Sequence, residues 1–333
     1  MLANPQRLLS RGIGKLGTRP VTPAWLLQND GPQEWLIERA MGAYLGLAVG
    51  DALGATVEFM LPREIQVQYG VHDRLRGGGW LRLRPGQVTD DTTMALALGD
   101  AILAAGEVDA MAAARAFDAW LRSKPVDVGN TVRRGILHFR ATGQPWVAEQ
   151  PLAAGNGACM RTLPVALATL GRDEATVRRA CRAQTWVTHR NPLSDAATEC
   201  VVLLVQAALA GASSRELLLG PVQALLKAHP EFRSRGRRRE NPSGYIVETL
   251  QAVFQALFDT DNFQDCLIDV VNRGGDADTT GAIIGMIAGA LYGVSAIPQS
   301  WQRTLDQHIR QRCQVQAVAL IQLSGAKGWS TGS

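Results

Sequence analysis

From residue 33 onward, apolar residues return every third or fourth position through long segments, while runs that alternate apolar and polar between turns are scarce. That period gathers apolar side chains on one helix face, so the chain is read as all-α. It predicts helices over residues 33–53, 93–105, 110–123, 128–142, 156–170, 174–188, 194–210, 243–259 and 279–292. Residues 58–91, 143–155 and 228–242 are rich in Gly, Pro and Arg and break the period, which predicts loops. No stretch has the composition of a linker between two cores, so these loops are placed within one domain.

Two of the expected helices carry glycine at every fourth residue: Gly42, Gly46, Gly50 and Gly54 in one, Gly281, Gly285, Gly289 and Gly293 in the other. Each glycine inside a helix costs up to about 1 kcal/mol of propensity, so a bare backbone face must serve the close approach of another helix. Two central, tightly packed helices satisfy that need. The competing reading is a membrane span, because residues 279–302 carry no charge and small residues at this spacing also pack membrane helices. A second comparable span and a flanking basic and aromatic belt are both missing, so no intrinsic membrane span is expected and a buried core helix accounts for the run.

Composition narrows the class only modestly. The chain is 46% hydrophobic and 19% charged, enough to bury a core. A net charge of +4 without a basic stripe argues against a nucleic-acid partner. The five cysteines, Cys159, Cys181, Cys200, Cys266 and Cys313, are odd in number and form no C-x-x-C pair, which points to reduced thiols and a cytoplasmic location. Residues 1–29 lack both a continuous apolar core and any acidic residue, and carry Arg7, Arg11, Lys15 and Arg19. They read as a loosely ordered extension or a transit peptide, not as a secretory signal. The run from Arg233 through Arg235, Arg237, Arg238 and Arg239 reads as a solvated loop or as a dock for an acidic surface.

Candidate chemistry lies at helix starts. Thr89-Asp90-Asp91-Thr92 precedes one apolar run, and Gly274-Gly275-Asp276-Ala277-Asp278-Thr279-Thr280 precedes the second glycine helix. One Asp or Thr at such a place is an ordinary N-cap. A helix needs one cap, however, and several carboxylates crowded at one end repel unless something positive neutralises them. Glu58 follows the first glycine helix, with Asp51 just inside that helix's end. If the glycine helices pack together, Glu58, Thr89, Asp90, Asp91, Asp276, Asp278 and Thr279 converge as an all-oxygen donor set. Hard cations, Mg²⁺ or Mn²⁺, suit such a set better than zinc. Five carboxylates balance two divalent cations better than one.

The runs GAYLGLAVGDALGATVEFM, GGGWLRLRPGQVTDDTTMALALG, KPVDVGNTVRRGI, GNGACMRTLPVALATLG, THRNPLSDAA and NRGGDADTTGAIIGMIAGALYGV resemble the ADP-ribosylglycohydrolase family, from about residue 39 to the low 320s. The resemblance implies a compact helical domain over residues 33–326, flanked by an extension over 1–32 and a tail over 327–333. It implies a dinuclear Mn²⁺ or Mg²⁺ centre on the positions reached above, and hydrolysis by water of the N-glycosidic bond between ADP-ribose and an arginine guanidinium. The loops GGGWLRLRPGQ and KPVDVGNTVRRGI resemble the branch directed at dinitrogenase reductase, which makes ADP-ribosylated dinitrogenase reductase the implied protein substrate and a nitrogen-status signalling protein an implied partner. The alternatives are the same chemistry on another arginine-modified protein, or a non-catalytic ADP-ribose-binding relative.

Catalytic roles fall to Asp91, within the metal set, and to Asp127, which can pair with guanidinium nitrogens and assist proton movement. Asp127 as a plain helix cap is the structural alternative. Glycine-rich turns present backbone N–H groups to a pyrophosphate, so Asn130, Gly155, Asn156 and Gly157 are candidate substrate contacts. Tyr245 resembles an aromatic that lines the nucleotide site of similar enzymes. His189 is a candidate contact only, because family members that read T-H-x-H-P have a second histidine where this chain has Asn191. Gly77-Gly78-Gly79-Trp80 reads as a lid or as a simple turn.

Overall fold

The computed structural model describes residues 34–325 except 152, 213, 214 and 235. The expected extension and tail, and Arg235, lie outside the described residues. In chain order the helices are α1 Glu34–Gly54, α2 Pro62–Tyr69, α3 Asp90–Ala105, α4 Ala110–Arg122, α5 Asn130–Thr142, α6 Leu163–Ala168, α7 Glu174–Thr185, α8 Pro192–Leu209, α9 Arg215–Ala228, α10 Ile246–Asp259, α11 Phe263–Val271, α12 Ala277–Tyr292, α13 Gln299–Thr304 and α14 Gln307–Gly325. Among the described residues there is no β-strand, only two isolated bridges, Gly78 to Leu83 and Gly155 to Tyr245.

The two glycine helices, α1 and α12, lie antiparallel at the centre and touch backbone to backbone. A Cβ added at Gly46 would sit 2.1 Å from the Gly285 carbonyl oxygen, and one at Gly50 would sit 1.9 Å from that of Gly281. Gly42 meets Gly289 and Gly54 meets Ala277, so the C-terminal end of α1 is pinned against the N-terminal end of α12. This packing brings the segment after Gly54 beside Asp276 and Asp278.

The rest of the domain wraps this pair in one apolar core. Helix α14 closes one side through a buried polar knot: the Tyr44 hydroxyl donates to Gln316, whose amide donates to Leu96 O at 3.0 Å and Asp100 Oδ1 at 2.6 Å. Every residue of α12 from Ala277 to Leu291 is buried, as a core helix requires. Among the described residues only α8 is long and apolar enough to cross a membrane, and 56% of it is buried within the protein.

The structure corrects the sequence pattern in several places. Helix α2 lies inside the expected 58–91 loop; its Val67 is exposed and only Ile65 is buried, so periodicity had little to register. Helices α9, α11, α13 and α14 also fall outside the expected set. In α14 the buried stripe is Cys313, Gln316, Ala317, Leu320 and Ile321, a weak apolar signal because a glutamine occupies its middle. The expected helix over 156–170 shrinks to α6. Pro164 is tolerated only in a first helical turn, so the helix starts at Leu163 and residues 155–162 are released as a turn.

Candidate active site

Neither acidic helix start is explained by capping: no side-chain cap hydrogen bond forms at Thr89 before α3 or at Asp276 before α12. Asp51 organises α3 instead. Reaching from the end of α1, its carboxylate accepts from Thr89 N at 2.9 Å, Thr89 Oγ1 at 3.0 Å, Thr92 N at 3.1 Å and Thr92 Oγ1 at 2.5 Å. The N–H groups of Thr89 and Thr92 at the helix start are thus satisfied from a neighbouring helix, and the Asp90 and Asp91 side chains are left for other work.

Glu58, Asp276 and Asp278 each place a carboxylate oxygen within 4.8 Å of the others, and all three are buried. Asp91 joins them: its Oδ2 accepts from Thr89 Oγ1 at 3.2 Å and from Thr279 Oγ1 at 3.4 Å, and Thr89 Oγ1 is 3.5 Å from Asp278 Oδ2. Glu58 accepts from Trp80 Nε1 at 2.6 Å, and Asp276 accepts from Asn156 Nδ2 at 2.5 Å. Among the described residues, no lysine or arginine forms an ion pair with any of them.

Burial first, and the neighbouring carboxylates second, push Asp91 and Asp278 well above the usual carboxylate range. Burial also raises Asp276, against the hydrogen bond from Asn156. Glu58 is pushed up to about 8 by burial, against the Trp80 hydrogen bond and with the charges of Asp276, Asp127 and Asp90 adding to it. The Asp91 Oδ1 atom is buried without any hydrogen-bond partner. A buried carboxylate oxygen without a donor, among acidic groups without a basic partner, is the environment a divalent cation completes.

Asp90 is pushed up to about 8 by burial first, with Asp127 as its strongest neighbouring charge and the Gly129 N–H opposing the rise. Asp90 therefore ties the site to the Asp127 loop. Asp127 itself is half-buried, and its charge acts on Glu58, Asp90 and Asp276. Asn130, the first residue of α5, is exposed beside it.

The Gly155–Gly157 turn lies against the Tyr245 strand-like bridge, and Tyr245 is 41% exposed at the start of α10. The Asn156 N–H donates to Gly244 O at 3.1 Å, and its amide reaches Thr249 and Asp276, so this residue links the turn to the acidic cluster. His189 is buried behind the turn. A Cβ at Gly155 or Gly157 would come within 2.9 Å of its ring, which is why glycine stands at both positions. The ring bonds Thr188 Oγ1 at 2.8 Å, and burial, with the Arg161 and Arg134 charges, depresses it to about 3. It is a neutral imidazole at neutral pH. Asn191 caps α8 by accepting from Leu193 N at 2.9 Å and Ser194 N at 3.4 Å.

The sequence model of the ADP-ribosylglycohydrolase family matches residues 32–329. The chain belongs to this family. It is 48% identical over 288 residues, 86% of this chain and 97% of the relative, to the ADP-ribosyl-[dinitrogen reductase] glycohydrolase of Rhodospirillum rubrum. It is 35% identical over 294 residues, 84% of this chain and 78% of the relative, to the ADP-ribosylarginine hydrolase Tri1 of Serratia proteamaculans. A solved structure titled ADP-ribosylglycohydrolase-related protein complex superposes with a TM-score of 0.78 at 35% identity, covering 88% of this chain and all of that one.

Two residues beside this site are not legible in the sequence. Asp51, a lone carboxylate inside a helix end, carries no periodic signal. Arg161 is wholly buried, stacked 4.2 Å from the Phe117 ring centroid and bonded to Gln184 and to Thr188, the residue that holds His189. Its charge bears on Asp90 without a direct ion pair. Its only sequence signal is its place in the GNGACMRTLP run.

Proposed function

We propose that this ADP-ribosylglycohydrolase removes ADP-ribose from an arginine side chain of dinitrogenase reductase, using divalent cations, Mn²⁺ or Mg²⁺, bound by Glu58, Thr89, Asp90, Asp91, Asp276, Asp278 and Thr279. The observation that carries this reading is the buried oxygen cluster, with its donorless Asp91 Oδ1, opening beside Asp127. When bound, such cations polarise ribose hydroxyls and lower the pKa of water, supplying a nucleophile at neutral pH. Asp127 pairs with the guanidinium and steers the proton that the departing nitrogen needs. Asn130 and the turn of Gly155, Asn156 and Gly157 hold the pyrophosphate side, Tyr245 offers a stacking face, and His189 backs the turn from beneath.

The choice of client follows the 48% identity to the Rhodospirillum rubrum protein, extended over nearly all of that relative. A second reading, a hydrolase for another arginine-modified protein, draws on the 35% identity to Tri1. Cytoplasmic residence and recruitment by a nitrogen-status signalling protein belong to the first reading. The test supplies inactive, arginine-modified dinitrogenase reductase beside an unrelated arginine-modified protein, and follows both ADP-ribose release and recovery of reductase activity. Processing of the reductase with regained activity is expected. Processing of the unrelated protein alone would leave the chemistry standing and remove the client.

A further inference from the structure

Half of the exposed large hydrophobic side chains among the described residues fall within residues 59–80: Phe59, Leu61, Val67, Val71 and Trp80. Phe59 is 63% exposed, Val67 80% and Trp80 53%. Scattered exposed hydrophobics need no explanation, but a contiguous patch does. This one is contiguous: Phe59, Arg63, Val67, Tyr69 and Trp80 line a single cleft of about 760 Å³, with the Glu58 carboxylate at its wall. The Phe59 and Trp80 rings lie 5.5 Å apart, and the indole N–H of Trp80 is fixed on Glu58 Oε2. Phe59 holds φ at +63°, a left-handed conformation unfavourable for a bulky residue, and its N–H is anchored on Gly275 O at 2.7 Å. Backbone strain and anchoring together present this aromatic side chain outward beside the acidic centre.

The patch is also basic. Residues 59–84 carry Arg63, Arg74, Arg76, Arg82 and Arg84 against Glu64 and Asp73. Asp73 is occupied by Arg74 and Arg76, and Glu64 accepts from its own helix start at Leu61 N. Arg63, Arg82 and Arg84 are exposed and have no carboxylate partner among the described residues.

We propose that this cleft and its basic rim are the docking surface for the protein client, and that they receive an apolar surface bordered by acidic residues around the modified arginine. The inference rests on the arginine-hydrolase reading above. Two observations favour a client over a second copy of this chain. The cleft runs into the catalytic cluster at Glu58, so an isologous dimer through it would cover the mouth of the site. A second copy would also bring unpaired arginines face to face, whereas an acidic border matches them. The client's apolar residues would cover Phe59, Val67 and Trp80 while its ADP-ribosylated arginine passes Glu58 toward Asp127.

The test uses the full chain, with Val67→Asp and Arg63→Glu as separate variants, neither within the metal or nucleotide machinery. Each is assayed on arginine-modified dinitrogenase reductase, on an unrelated arginine-modified protein and on free ADP-ribosylarginine, with size-exclusion light scattering alongside. Each variant is expected to raise KM for its protein client about tenfold or more, as loss of a central contact does, with kcat/KM on free ADP-ribosylarginine within about twofold of wild type. Raising salt from about 0.05 to about 0.3 M should weaken wild type on the client and weaken Arg63→Glu less. Unchanged KM on both proteins, equal loss on the free substrate, or a wild-type dimer that Val67→Asp splits, would each overturn the docking proposal while leaving the hydrolase intact. A wild type that cleaves no arginine-linked substrate would remove both readings.

Discussion

Asp51 shows how a single side chain prepares a site it does not enter. Its carboxylate binds the backbone and hydroxyls of Thr89 and Thr92, which fixes the direction in which Asp91 and the Thr89 hydroxyl point. Substituting such an outer partner lowers metal affinity by roughly 10–100-fold in metalloenzymes. Asp51→Asn puts an NH₂ group against these donors, so a loss of that size is expected for Mn²⁺, read by spectroscopic titration. Unchanged affinity would show that α3 is positioned without it. His189 yields a pH test. Its folded pKa lies near 3, below the ordinary 6.5, so the unfolded chain binds a proton that the native chain does not. Stability from this group is present above 6.5 and is lost as pH falls toward 3. The drop in Tm between about pH 7.5 and about pH 5 should therefore be smaller in His189→Gln than in wild type. Equal drops would mean that the imidazole titrates normally. The gathering of these carboxylates and hydroxyls was legible in sequence because several acids at one helix start cannot all be caps. Asp51, Arg161 and the buried setting of His189 were not, because each depends on contacts between distant segments.

At the scale of elements, the glycine faces of α1 and α12 give a test of opposite sign from propensity. Gly50→Ala gains up to about 1 kcal/mol as a helix former. Its Cβ, however, would lie 1.9 Å from the Gly281 carbonyl oxygen, and backbone cannot move aside as a side chain can. Overpacking of this kind costs about 1–3 kcal/mol or more, so a net fall in Tm is expected in thermal unfolding. A rise in Tm would mean that the two helices do not touch there. The same displacement would spread Glu58 from Asp276 and Asp278, so Mn²⁺ affinity should fall along with stability. The strongly periodic helices and the glycine stripe were readable because burial imposes one face. Helix α2 was not, having Ile65 as its single buried residue, and α14 was obscured by Gln316, whose polar amide is buried only because Tyr44, Leu96 and Asp100 satisfy it. The false extension of α6 back to residue 156 came from reading apolar spacing without the veto that Pro164 imposes.

The whole molecule places a buried acidic cluster where the ends of its two central helices meet, and surrounds the mouth with three different surfaces. Asp127 and Asn130 stand on one side, the Gly155–Gly157 turn with Tyr245 on another, and the aromatic, basic cleft of Phe59 and Trp80 on the third. This division matches a substrate with a nucleotide part and a protein part. The family and the acidic cluster were visible in the chain's motifs, whereas the cleft arises from short loops whose exposed residues carry no periodic pattern. The most direct measurement is ADP-ribose release from an arginine-modified protein, before and after exhaustive chelation and on restoring Mn²⁺, in wild type, Asp91→Asn and Asp278→Asn. Wild type should lose turnover on chelation and regain it with Mn²⁺, and each folded variant should remain at least about 100-fold slower at equal metal. Full turnover after chelation, or normal turnover in both variants, would contradict a cation-dependent centre built on these carboxylates.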